Sequence, residues 1–374
     1  MFYETHDIQA VRPESCFFQE ESPAEAPGEG VFMSRLTGRR ISVLGAGTWG
    51  TALAILLNHN GHEVTIWSKF PEELQEMRES RKHKNLPGAE LPETMLYESD
   101  LGAAMEGRDV LVLAVPSIFT RGTARSMQPF LREGQVVVSV AKGIEESTLM
   151  VLTDQIEEEL PKAEVCCLSG PSHAEEVSRR IPTACVVGAH SRRTAEMVRD
   201  LFMSPVFRVY TSPDMLGMEL GASIKNVIAL AAGMADGVGY GDNTKAALIT
   251  RGIAEISRLG TAMGAQAETF AGLTGIGDLI VTCASMHSRN RRAGILIGKG
   301  ATADEAAKEV GQVVEGVYSA RAAMKLAEKY GVRMPIVEEV NQILFENKPA
   351  AEAVKSLMER DPVPELAEPK WERD

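Results

Sequence analysis

Between a short apolar run and a helical one the chain reads Gly45-Ala46-Gly47-Thr48-Trp49-Gly50, and this stretch constrains the fold more tightly than any other feature. Ile41-Ser42-Val43-Leu44 before it has the character of a buried strand, and Thr51-Ala52-Leu53-Ala54-Ile55-Leu56-Leu57 after it reads as a helix. A bare G-x-G-x-x-G carries little weight, but in a strand–turn–helix frame each glycine has a physical task. Gly45 permits the tight turn, Gly47 lets a pyrophosphate approach the backbone, and Gly50 lets the helix pack closely on the strand. The helix start offers unpaired N–H groups and the positive end of its dipole to phosphates. The expectation is a dinucleotide site on Gly45, Gly47, Thr48, Trp49 and Gly50; a glycine turn serving only packing is the plainer alternative.

The rest of the first half supports that frame. β-Branched runs recur at Glu63–Trp67, Val110–Val115, Val136–Val140, Val165–Leu168, Ala184–Val187 and Val206–Tyr210, with helical stretches such as Thr51–Asn58 and Leu149–Leu160 between several of them. Continuous apolar runs alternating with helices indicate a largely parallel sheet covered on both faces. The expected class is therefore α/β, a doubly wound, Rossmann-type, mostly parallel sheet, over residues 39–213. After Pro213 strand-like runs become scarce and Ala-, Leu- and Glu-rich helical stretches dominate, so residues 214–360 read as an all-helical domain. Residues 1–38 read as a disordered acidic extension, with an over-called start before Met33 as an alternative, and 361–374 as a loose tail.

Composition removes several classes of function. The 39 basic and 52 acidic side chains give a net charge of −13, which argues against a broad nucleic-acid surface but leaves room for a small basic pocket. No uninterrupted apolar run approaches the length of a membrane span. Residues 1–30 lack the apolar core of a signal peptide, and the odd set Cys16, Cys166, Cys167, Cys185 and Cys283 contains no C-x-x-C, so reduced thiols in a cytoplasmic protein are expected. The histidines show no zinc-like spacing, and no metal is expected.

Three further segments bear on chemistry. At the end of the second strand, Trp67-Ser68-Lys69-Phe70 has no acid where an NAD site usually carries one, so Ser68 and Lys69 are candidates for a 2′-phosphate and NADPH is expected to serve at least as well as NADH. On a helical stretch, Lys225 shares a face with Gly221, Ala222, Ala229 and Ala232. A desolvated lysine there would have a lowered pKa suited to proton exchange with an alcohol or ketone oxygen, whereas a solvated surface lysine is the alternative. Asp278 and Thr282 are four apart and precede Ser288-Arg289-Asn290-Arg291-Arg292, a basic cluster able to offer forked donors to a phosphate. Lys142 and Gly170-Pro171-Ser172 follow strands at the carboxyl end, where open α/β sheets bind ligands.

Taken together, these segments resemble the bacterial-type NAD(P)-dependent glycerol-3-phosphate dehydrogenases over about Arg40 to Arg360. The resemblance rests on the order and spacing of Gly45–Thr51, Ala141-Lys142-Gly143, Ser169–Ser172, Lys225–Ala229, Gly241–Lys245, Gly277–Cys283, Ser288–Asn290 and Val313–Gly316. It implies interconversion of glycerol 3-phosphate and dihydroxyacetone phosphate, with Lys225 exchanging the proton and Lys142 touching both substrate and cofactor while lowering the Lys225 pKa. Gly170, Ser172, Asp278, Ser288, Arg289 and Asn290 would line the substrate site; Thr48, Trp49, Lys69 with its neighbour Phe70, Lys142, Ala174, Arg289, Val313 and Glu315 would meet NADPH or NADH. His173 replaces a frequent Phe, a departure expected to lie away from the chemistry. A homodimer and a part in phospholipid supply complete the expectation. The competing readings are a β-hydroxyacid dehydrogenase of the 6-phosphogluconate type, which the segments around Asp278 and Arg289 do not fit, and a non-catalytic NAD(P)-binding regulator.

Overall fold

The computed structural model describes residues 37–362, 364 and 365; the expected acidic extension and the end of the tail lie outside them, as does Cys16. Eight strands form one sheet: β1 (Arg40–Leu44), β2 (Glu63–Trp67), β3 (Leu96–Glu98), β4 (Val110–Leu113), β5 (Val136–Ser139), β6 (Glu164–Ser169), β7 (Thr183–Ala189) and β8 (Phe207–Ser212). Their order is β3-β2-β1-β4-β5-β6-β7-β8, parallel throughout except for the antiparallel β6–β7 pair. All seven strands expected from apolar runs are present. Strand β3 is the one missed, because three partly exposed residues at a sheet edge carry no readable period.

Alternation along the strands sends side chains to both faces. Val136 and Val138 join Ile41, Val43, Val64, Ile66 and Val112 in one core, while Val137 points the other way into a second core with Leu44, Leu111 and Leu113. The strand order reverses between β1 and β4, and the carboxyl ends of the strands at such a switch point are where sheets of this kind take their ligands.

From Met215 the chain is helical and packs around one element, the helix Met215–Val238. By length and composition this helix could cross a membrane, but its most apolar stretch is 94% buried within the fold, so it is a core helix. Its small residues admit neighbouring backbone: a Cβ added at Gly221 would lie 2.7 Å from Thr274 O, and one at Gly233 would lie 2.2 Å from Arg291 O. The bare face noticed around Lys225 is thus filled in large part by other helices.

Candidate functional site

The glycine turn is built as its sequence demands. Gly45 takes φ +128°, and a Cβ there would meet Ala114 O at 2.6 Å, so the carboxyl ends of β1 and β4 close on each other only through a glycine. A Cβ at Gly50 would lie 2.1 Å from Gly45 O, whereas one at Gly47 meets nothing within 4 Å. The loop is therefore tight on the protein side and open at Gly47, the arrangement a dinucleotide pyrophosphate requires. Thr48 and Trp49 open the helix Thr48–His59, whose first N–H groups lack partners within the helix.

Lys142, carried just past β5, and Lys225, on the central helix, converge on one carboxylate. Asp278 Oδ1 lies 2.5 Å from Lys225 Nζ and Asp278 Oδ2 lies 2.6 Å from Lys142 Nζ. Lys225 also donates to Thr282 Oγ1 at 2.7 Å, and Lys142 donates to Gly170 O at 3.1 Å. Asp278 and Thr282 start and sustain the helix Asp278–Ala284, so the spacing of four does bring them to one face. Ser172 returns its hydroxyl to Gly170 O at 2.9 Å. Lys225 is 4% exposed, which rules out the solvated-lysine alternative.

One carboxylate facing two ammonium groups leaves an excess positive charge in a buried place. Burial lowers the Lys225 pKa to about 7; Asp278 opposes that fall and the charge of Lys142 adds to it. Burial alone would raise the Asp278 carboxyl, but the two lysines outweigh it and hold it below its ordinary range. Of Lys225 and Asp278, Lys225 is the one whose charged form burial, on balance, disfavours.

The basic cluster divides its labour. Ser288 caps the helix Arg289–Gly298 by accepting from Arg291 N, and Arg291 is bound to Asp236 at 2.8 Å. Asn290 bridges elements: its Nδ2 donates to Asn226 Oδ1 and its Oδ1 accepts from Gly316 N, both at 2.9 Å. Arg289 is half-buried and, among the described residues, its guanidinium reaches only Gln312 Oε1, at 3.5 Å. Glu315 accepts from Ser117 N at 3.2 Å and from the Ser117 hydroxyl, joining the segment after β4 to the helical half of the chain. Val313, half-buried, precedes it, and Ala174 is buried in the sheet core beside the Gly170 turn.

Just past β2 the Lys69 ammonium lies 5.1 Å from the Phe70 ring centre and 5.3 Å from that of Phe119. Phe70 and Phe119 are both about half exposed. Ser68 instead donates to Glu73 Oε2 at 3.1 Å. An acid therefore does stand near the end of β2, five residues beyond the position where the sequence motif looks for one.

Sequence reasoning missed Asn226, Ser117, Phe119, Glu73 and His83, whose ring lies 3.2 Å from Ala46 O in the glycine turn. Burial and then the charge of Lys225 lower the His173 pKa, and the His173 ring centre lies 5.7 Å from that of His287. Among the described residues no group of side chains is arranged to hold a metal ion.

The family model of the NAD-dependent glycerol-3-phosphate dehydrogenase N-terminus matches residues 40–195, and that of the C-terminus of the same family matches 214–355. A protein of Agathobacter rectalis named glycerol-3-phosphate dehydrogenase [NAD(P)+] is 62% identical over 333 residues, 89% of this chain and 99% of its own. The chain belongs to the NAD-dependent glycerol-3-phosphate dehydrogenase family. A protein of the same name from Fusobacterium nucleatum is 59% identical over 86% of this chain and 97% of its own. The crystal structure of glycerol-3-phosphate dehydrogenase from Coxiella burnetii superposes with a TM-score of 0.83 at 36% identity, covering 86% of this chain and 99% of that one. The Rossmann-type sheet with a helical C-terminal half is thus the fold of the glycerol-3-phosphate dehydrogenase family, and the resemblance read from the motifs holds.

Proposed function

We propose that this chain interconverts sn-glycerol 3-phosphate and dihydroxyacetone phosphate with NADPH or NADH, and that Lys225 is its general acid and base. The observation that carries this reading is the buried Lys225, with a pKa near 7, sharing Asp278 with Lys142. A nicotinamide cofactor, when bound, supplies or takes the hydride at the substrate carbon. Lys225 gives its proton to the developing alkoxide in ketone reduction and removes it from the alcohol in oxidation. Asp278 keeps the ammonium form available, Thr282 fixes the direction of Lys225 Nζ, and Lys142 stops the proton from being held too tightly.

Arg289 offers a guanidinium to the substrate phosphate, while Asn290 retains one N–H for the same anion after tying Asn226 and Gly316. Gly170, Ser172 and Ser288 border this space; Thr48, Trp49, Lys69, Phe70, Ala174, Val313 and Glu315 serve the dinucleotide. Lys69 is the residue that favours NADPH. The nucleotide half is assigned to residues 39–213 and the helical half to 214–360. The wider role is supply of glycerol phosphate for phospholipids by a cytoplasmic homodimer.

The test is initial-rate oxidation of NADPH and of NADH with dihydroxyacetone phosphate, beside oxidation of 6-phosphogluconate with NADP+. Turnover with the ketone phosphate and none with the sugar acid is expected. The reverse result would move the chain to the β-hydroxyacid dehydrogenases, and binding of NADPH without turnover of either compound would make it a regulator.

A further inference from the structure

The end of β2 carries two opposite charges with different surroundings. Lys69 turns toward Phe70 and Phe119, whereas Glu73, in the first turn of the helix Pro71–Ser80, turns back toward the strand. Ser68 is 5% exposed, and its single hydroxyl proton is spent on Glu73 Oε2 at 3.1 Å, while Phe70 N donates to Ser68 Oγ at 3.3 Å. The Glu73 carboxylate is therefore aimed rather than free to swing. Its other oxygen, Oε1, has no hydrogen-bond partner among the described residues.

The glycine turn bonds the end of β2 directly, Gly45 N donating to Trp67 O at 2.9 Å, and His83 braces that turn. His83 is 5% exposed, accepts from Asn85 N through Nδ1 at 3.1 Å and so presents Nε2–H to Ala46 O at 3.2 Å. Burial lowers the pKa of this imidazole, while the Ala46 carbonyl and then the Glu73 carboxylate draw it up. Glu73 is thus held through Ser68 at the tip of β2, the strand end that the glycine turn joins. In a dinucleotide fold the adenosine ribose occupies the gap between those two features.

We propose that Glu73, oriented by Ser68, is a cofactor-specificity residue that accepts a hydrogen bond from the adenosine 2′-hydroxyl of NADH and repels the 2′-phosphate of NADPH. Lys69 and Glu73 then act in opposition, one cation and one anion around the same ribose edge, and the chain can use both dinucleotides. This inference deepens the cofactor reading given above and rests on it. Like charges held close in a partly desolvated place disfavour each other strongly enough to set a preference.

The experiment is direct binding of NADPH and of NADH to the full-length protein by nucleotide fluorescence, without substrate, for wild type, Glu73→Gln and Ser68→Ala. Glu73→Gln keeps the shape and removes the charge; it is expected to shift the ratio of the two Kd values toward NADPH by about tenfold, or about 1.4 kcal/mol. Ser68→Ala, which frees the carboxylate, is expected to shift the ratio in the same direction by less. A ratio unchanged in Glu73→Gln, or both Kd values moving together, overturns the proposal and leaves Glu73 a structural residue. Since binding is read without the ketone phosphate, an error in the proposed substrate leaves this result intact. Failure to bind either nucleotide would instead bring down the cofactor reading itself.

Discussion

Lys225 Nζ and Asp278 Oδ1 lie 2.5 Å apart with both side chains almost fully buried, one from the core helix of the helical half and one from the first turn of a neighbouring helix. A buried ion pair of this kind is a poor source of stability, because taking both charges out of water offsets much of their attraction. It is a good way to hold a proton on a lysine whose surroundings would otherwise strip it.

Replacing Lys225 by Ala is therefore expected to lower kcat by roughly 10²–10⁴, the range for losing a positioned acid or base, with NADPH binding retained. Steady-state kinetics with dihydroxyacetone phosphate, together with nucleotide fluorescence, checks both halves. An unchanged kcat would remove Lys225 from the proton transfer.

The Asp278→Asn variant tests the electrostatics by sign. With the anion gone, burial and the charge of Lys142 act on Lys225 unopposed, and its pKa falls below the present value of about 7. Reduction needs the protonated lysine, so its alkaline limb should move to lower pH; oxidation needs the neutral amine, so its acid limb should move the same way. The expected displacement is on the order of one pH unit or more. A pH profile with both limbs unmoved would mean that Asp278 only packs.

Much of this could be read from the chain before any coordinates, and the reason is local. The strands declare themselves by continuous β-branched runs such as Val136–Val138, and the Asp278–Thr282 pair by a helical spacing of four. Ser117 and Asn226 escaped because nothing near them in sequence marks their partners. Ser117 meets Glu315 across 198 positions and Asn226 meets Asn290 across 64, and Glu73 returns to Ser68 only because the chain turns into a helix at Pro71.

Arg289 is expected to act mainly on substrate affinity. Among the described residues it has no carboxylate within ion-pair distance, only the long contact to Gln312, and burial lowers its pKa against the pull of Glu315. A half-buried guanidinium without a close anion is suited to receive one. Arg289→Ala should cost about 1.5–3 kcal/mol of substrate binding, seen as a higher KM for dihydroxyacetone phosphate with a smaller change in kcat. A loss of NADPH affinity with substrate affinity unchanged would assign the residue to the cofactor instead.

Stability should also respond to pH through a residue outside the proposed chemistry. Glu219 on the core helix is 5% exposed and accepts from Thr153 N at 3.1 Å and from the Thr153 hydroxyl. Burial pushes its pKa up from the ordinary 4.5 to about 8, and the Thr153 bonds only partly oppose that. The folded chain then binds a proton that the unfolded chain has released, so the contribution is fully present below about pH 4.5 and is lost as pH rises through about 8. Glu219→Gln keeps the shape and removes the titration. The unfolding free energy of the variant relative to wild type should therefore rise between pH 5 and 8, by at most about 1.4 kcal/mol per pH unit. Glu255, raised to about 7 by burial against hydrogen bonds from Ile336 and Val337, titrates in both proteins and drops out of the difference. Urea unfolding at several pH values checks this, and parallel curves would show that Glu219 remains ionised in the fold.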